Sequence, residues 1–526
     1  MLQSGNNINN GDKLAVDLCI VGGGVAGIVL ALELIDSGLK VALVESGGEH
    51  YSQFAQDLNI AESFPQHFPN PHYSRLRFLG GSSNHWENNT SPLSPVDFEQ
   101  RAGIANSGWP ISYSEISPYY SAAQRYCGVD DDGYELEHWA RVLKKPVPFE
   151  NGRLETRVAK AALPPTRFFY QHGAKLVAAE NINVITHASL VDLEFDASNQ
   201  RVKKCEFKSE QGRSFSISAD KFCFCMGGIE NARFMLAFNQ KYNNQLGNQK
   251  EKVGRYFMEH PTPRAAQLYT DHFELFEFYQ ANMLANKIVL GFLSLSDQVV
   301  RDEQTINLRM PLIPMDHYTL SDGISSAHIL SENIANWEYP DRLPTHLNNV
   351  ITDIDMLVEA VARKKFDKQL FERAKNVSGF QIPMMMEQTP FEGNRIVLSS
   401  HRDALGIPKV NVHYRITHTD RERLWRSLQI VAKEVGINNI GRLKLLRERE
   451  SRVWADQLGF SNHHMGTTKM ADSPDFGVVD PQHKVFGTSN LYIGGSSIFA
   501  TGGHVPPTLT IAAFSVRLAE IIKHDA

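Results

Sequence analysis

The chain has 526 residues, of which 42% are hydrophobic and 21% charged, and a formal net charge of -6. Such a length exceeds one simple core and suits up to about three domains, while the mild negative charge argues against a nucleic-acid binder, which needs a basic face. Five cysteines make neither a disulfide framework nor a zinc spacing, so free thiols in a reducing compartment and no metal site are expected.

Met1 to Asn6 lack a basic region followed by an apolar core, so no signal peptide is visible. The most apolar stretch, Leu18 to Leu34, is broken by glycines and Glu33. It reads as strand, turn and helix rather than a membrane span, and a cytoplasmic protein is the expectation. Within it, Leu14 to Val21 has the pattern of a buried parallel strand. Gly22-Gly23-Gly24-Val25-Ala26-Gly27 follows at once. Val25 to Asp36 reads as a helix, with Ile28, Leu32 and Ile35 at helical spacing and Ser37-Gly38 ending it. Lys40 to Val44 is a second strand, closed by Glu45.

In this unit Gly22 permits a tight turn, Gly24 lets backbone approach a pyrophosphate, and Gly27 lets helix and strand pack closely. The helix N-terminus supplies unpaired N–H groups and a positive dipole for phosphates. Glu45, 18 residues past Gly27, stands where an acid accepts hydrogen bonds from ribose hydroxyls. The unit therefore points to a bound dinucleotide without choosing which one.

The next unusual segment is Arg77 to Trp86. Its Gly80-Gly81-Ser82-Ser83-Asn84-His85 suits either a loop whose backbone presses against a flat ligand or a surface Ω-loop. Further on, Ile288 to Leu293 is compatible with a buried strand, and Lys409 to Tyr414 alternates as a half-exposed one. Thr419 to Val435 reads as an amphipathic helix with Leu424, Leu428 and Val431 on one stripe.

Taken with its C-terminal motifs, the chain resembles the glucose–methanol–choline (GMC) oxidoreductases, nearest their pyranose oxidase-like, sugar-oxidising branch. The matching segments are Gly22 to Gly27 with Glu45, Leu79 to Trp86, Ser107 to Tyr113 running on to Pro118-Tyr119-Tyr120, Cys225 to Arg233, and Val253-Gly254-Arg255 with His260-Pro261. Toward the C-terminus they are Asn462 to Thr467, Gly477 to Asp480, Asn490 to Ser496 and Pro507 to Thr510, while Pro263 to Glu387 gives no match.

The resemblance implies an α/β protein with a Rossmann-like FAD-binding domain and a substrate domain built on an antiparallel sheet. The flavin domain would comprise residues 1–110, 159–261 and 455–526, and the substrate domain residues 111–158 and 262–454. It implies FAD as cofactor, held by Gly22, Gly24, Gly27, Glu45, Gly80, Gly81, Ser82, Ser83, Asn84, His85, Leu190, Gly495 and Thr508. In two branches a histidine at the place of His85 is bonded covalently to the flavin. Here Glu87-Asn88-Asn89 depart from the pyranose oxidase pattern, and non-covalent FAD is favoured.

The implied reaction oxidises a CH–OH group of a small alcohol, with a sugar or glycoside the favoured class and His463 as proton acceptor. His464 beside it is read as structural, although an exchange of roles stays open. Relatives carry His or Asn directly before the Pro-Thr of the last motif; this chain has Pro506, which has no side-chain donor or acceptor. In an extended segment His504 would face the same side two residues upstream, so His504 is either the replacement group or a structural histidine. The electron acceptor stays open among oxygen, a quinone and a carrier. The loss at Pro506 also motivates an alternative, a redox-neutral cyclase, lyase or isomerase on the same flavoprotein scaffold.

Overall fold

The computed structural model describes residues 1–525 apart from 66–67, 151, 199, 317–320, 336–338, 341, 359–376 and 447–457. The expected boundary at 454/455 falls outside the described residues. Two buried cores organise the chain, one around a mixed sheet and one around antiparallel sheets.

In the mixed sheet, Leu2–Ser4, Ile182–Thr186, Val41–Val44, Lys13–Val21 and Ser214–Phe224 lie side by side and parallel. The last of these is long enough for two partners on its far edge. Its first half pairs antiparallel with Val202–Ser209, and its second half pairs parallel with Leu491–Ile493. Leu18, Cys19 and Ile20 are fully buried, as expected of a strand covered on both faces. The helix Val25–Glu33 packs on this sheet and against the C-terminal helix Thr508–His524. The first helix stops three residues before the expected end, because Asp36 and Gly38 take left-handed conformations in the turn that follows.

The second core is enclosed by two antiparallel sheets. One runs Ile313–Asp316, Val377–Pro383, Arg264–Tyr269, Arg442–Leu445. The other runs Asn282–Met283, Lys287–Leu295, Leu154–Ala162, Asn89–Thr90. The strand Leu154–Ala162 thus crosses the expected boundary at residue 159 and belongs to the antiparallel part throughout. The helix His418–Ile437 buries Leu424, Leu428, Val431 and Val435 here. The strands Arg395–Arg402 and Pro408–His413 instead send Ile396, Val410 and Val412 into the first core. Among the described residues no helix is long and apolar enough to cross a membrane.

Candidate active site

Parallel strands deliver the residues beyond their carboxyl ends to one edge of the sheet, where ligands of such folds bind. Val21 leads to Gly22, Val44 to Glu45, Phe224 to Cys225-Met226-Gly227, and Ile493 to Gly494-Gly495. Of these, all but Gly494 border a single cleft of about 730 Å³.

The glycines of the first turn divide by what surrounds them. A Cβ on Gly22, at φ +113°, would stand 2.6 Å from the Cys225 carbonyl oxygen, and one on Gly27 would stand 2.0 Å from that of Gly22. These two are required by packing. A Cβ on Gly24 meets no heavy atom within 4 Å, because the cleft lies beside it. Gly24 also begins the helix Val25–Glu33 without a side-chain cap, so among the described residues no capping side chain claims its first N–H groups. The helix Thr508–His524 starts at the same cleft, after Pro507, equally uncapped. Two open helix N-termini and an open glycine fit the anionic and flat parts of a dinucleotide.

Glu45 is fixed in the wall of that cradle. Its Oε2 accepts the Gly23 N–H at 2.8 Å and its Oε1 accepts the Gly47 N–H at 2.9 Å. Lone pairs on both oxygens remain for ribose hydroxyls. In the second loop, Ser83 Oγ donates to the Gly80 carbonyl at 2.7 Å, and Asn84 Nδ2 donates to the Leu79 and Gly81 carbonyls, both at 3.0 Å. Gly80 and Asn84 thus shape the loop from behind, while Gly81, Ser82, Ser83 and His85 border the cleft. Burial and the Arg167 charge hold the His85 imidazole below its usual range. Leu190, Gly495, Thr508 and Pro506 border the cleft as well.

At the other end stands a histidine pair. His463 Nδ1 lies 2.9 Å from His260 Nδ1, across 203 residues of sequence. His260 Nε2 faces two carbonyl oxygens, those of Gly502 at 3.1 Å and Gly503 at 3.0 Å, so Nε2 carries the proton. Burial pushes His260 down to about 4, which keeps it neutral and leaves its Nδ1 bare. The hydrogen between the rings therefore belongs to His463 Nδ1. His463 is itself held well below its usual range, by burial first and then by the nearby histidines and Arg309. Its Nε2 is thus left unprotonated, and His463 borders the cleft.

The backbone that sets up this pair is a short, uneven ladder. Met258 pairs with Met465 on one side, and Pro261 with Phe460 on the other. Between these pairings one strand spends only Glu259 and His260, while its partner spends Ser461 to His464. The surplus loops out, with Asn462 left-handed at φ +59°. Glu259 Oε1 ties the ladder together by accepting the His260 N–H at 2.7 Å and the His463 N–H at 2.8 Å. Full burial raises Glu259 to about 8, so its carboxyl is protonated at neutral pH.

His464 also borders the cleft, with Nε2 3.4 Å from Ser74 Oγ and 4.0 Å from Glu259 Oε2. His504 does not border it. That ring is fully buried between Arg157, whose Nη1 lies 3.4 Å from Nε2, Asp97, whose Oδ2 lies 3.8 Å from Nδ1, and Phe292. The chain bends at His504 and Val505 after Gly503 at φ +59°, so the alternation of an extended segment does not hold there. Two residues to which the sequence motifs assign no role stand at this end: His260, in the segment before Pro261, and Arg309, in the stretch Pro263 to Glu387.

One cleft thus joins two open helix N-termini to a buried, neutral imidazole, an arrangement that suits a dinucleotide-dependent oxidoreductase. Comparison with known proteins specifies it further. Residues 390–515 match the family model described as GMC oxidoreductase, and residues 17–57 match an FAD binding domain. The chain is 24% identical to the fructose dehydrogenase large subunit of Gluconobacter japonicus, over 98% of this chain and 99% of that protein. It is 23% identical to 6'''-hydroxyparomomycin C oxidase of Streptomyces lividus, over 96% and 91%. Among solved structures, pyridoxine 4-oxidase from Mesorbium loti shares the fold, with TM-score 0.58, 15% identity, and coverage of 96% and 98%. Residues 390–515 therefore carry a GMC oxidoreductase family domain, and the chain is an FAD-dependent oxidoreductase. Relatives named as oxidases and dehydrogenases do not favour the redox-neutral alternative.

Proposed function

We propose that the protein oxidises a CH–OH group of a sugar or glycoside, with His463 as the base. The observation that carries this reading is the 2.9 Å His260–His463 contact, whose proton arrangement leaves His463 Nε2 free to accept. FAD supplies the acceptor for the hydride that leaves the carbinol carbon. The chain's own part concerns the proton. His463 Nε2 takes the hydroxyl proton as the carbonyl forms, and an imidazole so placed typically contributes about 10²–10⁴-fold. His260 acts through His463, fixing its tautomer and the orientation of its ring.

The substrate class rests on relatives named for fructose, a glycoside and paromamine. FAD would lie along Gly22, Gly24, Glu45, Gly81 to Ser83, His85, Leu190, Gly495 and Thr508, with Gly27, Gly80 and Asn84 supporting it from behind, and would be held without a covalent bond. The five free, buried cysteines support a reducing compartment, the cytoplasm. Anaerobic titration of the holoenzyme with a panel of sugars, glycosides and simple alcohols tests the reading, by bleaching of the flavin band. No bleaching by any member, in a protein that dithionite does reduce, would overturn it. The same experiment repeated in air, and then with a quinone or a carrier protein, identifies the electron acceptor.

A further inference from the structure

Arg309 is a buried cation with an unfinished set of partners. It is only 4% exposed, on the short strand Leu308–Arg309 that pairs with Met385–Met386. Its Nη2 donates to Asn89 Oδ1 at 3.0 Å, and its guanidinium lies 4.9 Å from the centre of the Phe292 ring. Its Nε is buried and has no hydrogen-bond partner among the described residues. Among the described residues no carboxylate forms an ion pair with it. The acid whose charge reaches it is Glu87, an exposed side chain on the same cleft wall.

A buried guanidinium normally demands a carboxylate or phosphate, because it cannot shed its proton at ordinary pH. Burial lowers Arg309 only to about 10, so the charge persists. Arg309 borders the cleft together with His463, Met385 and Pro506, and its charge depresses both His463 and His260. It therefore belongs to the proton-accepting end of the cleft. The phosphate end, at Gly22 to Gly24, has the open helix N-terminus of its own.

From this geometry we infer that Arg309 is a specificity-determining residue that binds a carboxylate on the substrate, so that the preferred alcohol is a hydroxy acid or sugar acid rather than its neutral counterpart. The inference rests on the reading of this cleft as an alcohol-oxidising site and narrows its substrate class. A carboxylate here would accept from the edge of the guanidinium, whose face lies on Phe292, in a desolvated setting where charge-assisted hydrogen bonds are strongest. A substrate bearing an ammonium group would instead face an uncompensated cation.

The test compares matched pairs on the holoenzyme: glucuronate against glucose, and lactate against 1,2-propanediol. The expected result is a kcat/KM at least tenfold higher for the acid of whichever pair is oxidised. In Arg309→Met that ratio collapses toward one, and in Arg309→Lys, which keeps the charge without the planar fork, it falls to an intermediate value. A wild-type ratio at or below one overturns the inference, as does loss of FAD from folded Arg309→Met, which would make the cofactor the anion that Arg309 serves. If no pair is oxidised, flavin bleaching by the wider panel of sugars, glycosides and alcohols decides separately whether the site oxidises alcohols. Binding still decides the role of Arg309, because a carboxylate seated there perturbs the oxidised flavin spectrum in the wild type and at least tenfold more weakly in Arg309→Met. Equal perturbation in both proteins overturns it.

Discussion

His260 and His463 share one hydrogen across 2.9 Å, and the two carbonyls behind His260 decide on which ring that hydrogen sits. Replacing His463 by Gln should remove the proton acceptor while leaving the FAD cradle intact. The rate of flavin reduction by substrate, followed anaerobically in a stopped-flow instrument, should drop by about 10²–10⁴-fold. Retention of more than a tenth of the wild-type rate would reassign the base.

His260→Asn should behave differently, because it acts only through its neighbour. The rate should fall less than in His463→Gln, and the pH profile should change shape. In the wild type the acid limb of kcat/KM should lie below the usual imidazole range of about 6.5, since burial and nearby charge hold His463 neutral. With His260 gone, His463 Nδ1 loses the acceptor that fixes its tautomer, so the limb should move from its wild-type position. A variant that lost activity uniformly at all pH values would show a purely structural role.

Gly24 and Gly27 offer a paired test of the cradle. Gly24→Ala places its methyl in open cleft, so the protein should fold and yet bind FAD more weakly, as read by the FAD content of purified protein and by flavin fluorescence on dilution. Gly27→Ala drives a methyl to 2.0 Å from a backbone oxygen and should fail at the level of folding or thermal stability. Equal, tight FAD retention in Gly24→Ala would move the phosphates elsewhere.

Stability should peak in mildly acidic solution. Glu259 is raised from about 4.5 to about 8, so its contribution is fully present below pH 4.5 and is lost as the pH rises through 8. His464 and His483, both lowered by burial to about 3, contribute above their ordinary 6.5 and lose that contribution as the pH falls toward 3. Where the two windows overlap, the two histidines outweigh the one acid, which places the maximum near pH 6.5. Thermal unfolding of the holoenzyme between pH 5 and pH 9 measures this, and Glu259→Gln, a neutral near-isostere, should flatten the alkaline limb. An unchanged alkaline limb would mean that Glu259 is ionised in the folded protein.

The parts legible in the sequence were those encoded locally. The glycine turn, its flanking strands and helix, and the stripe of Leu424, Leu428 and Val431 all declare themselves within a few residues of chain. His260 was hidden because its role exists only through a contact 203 residues away. Arg309 was hidden for another reason: nothing in a linear pattern separates a buried arginine from the many exposed ones. His504 shows how a periodicity rule misleads. Facing of i and i+2 presumes an extended backbone, and the turn at Gly503 with the bend that follows takes the ring out of the cleft wall.

The uneven ladder between Met258–Thr262 and Gly459–Met465 constrains how such enzymes exchange parts. The two imidazoles are carried on opposite rails, and the four-against-two residue count is what turns His463 out of the ladder. A chimaera that imports the C-terminal segment from a relative must import the rail around Glu259 and His260 with it. Otherwise it would inherit His463 without the geometry that gives that histidine its proton state. Recombination breakpoints between functional members of this group should therefore leave those two distant segments as a matched set.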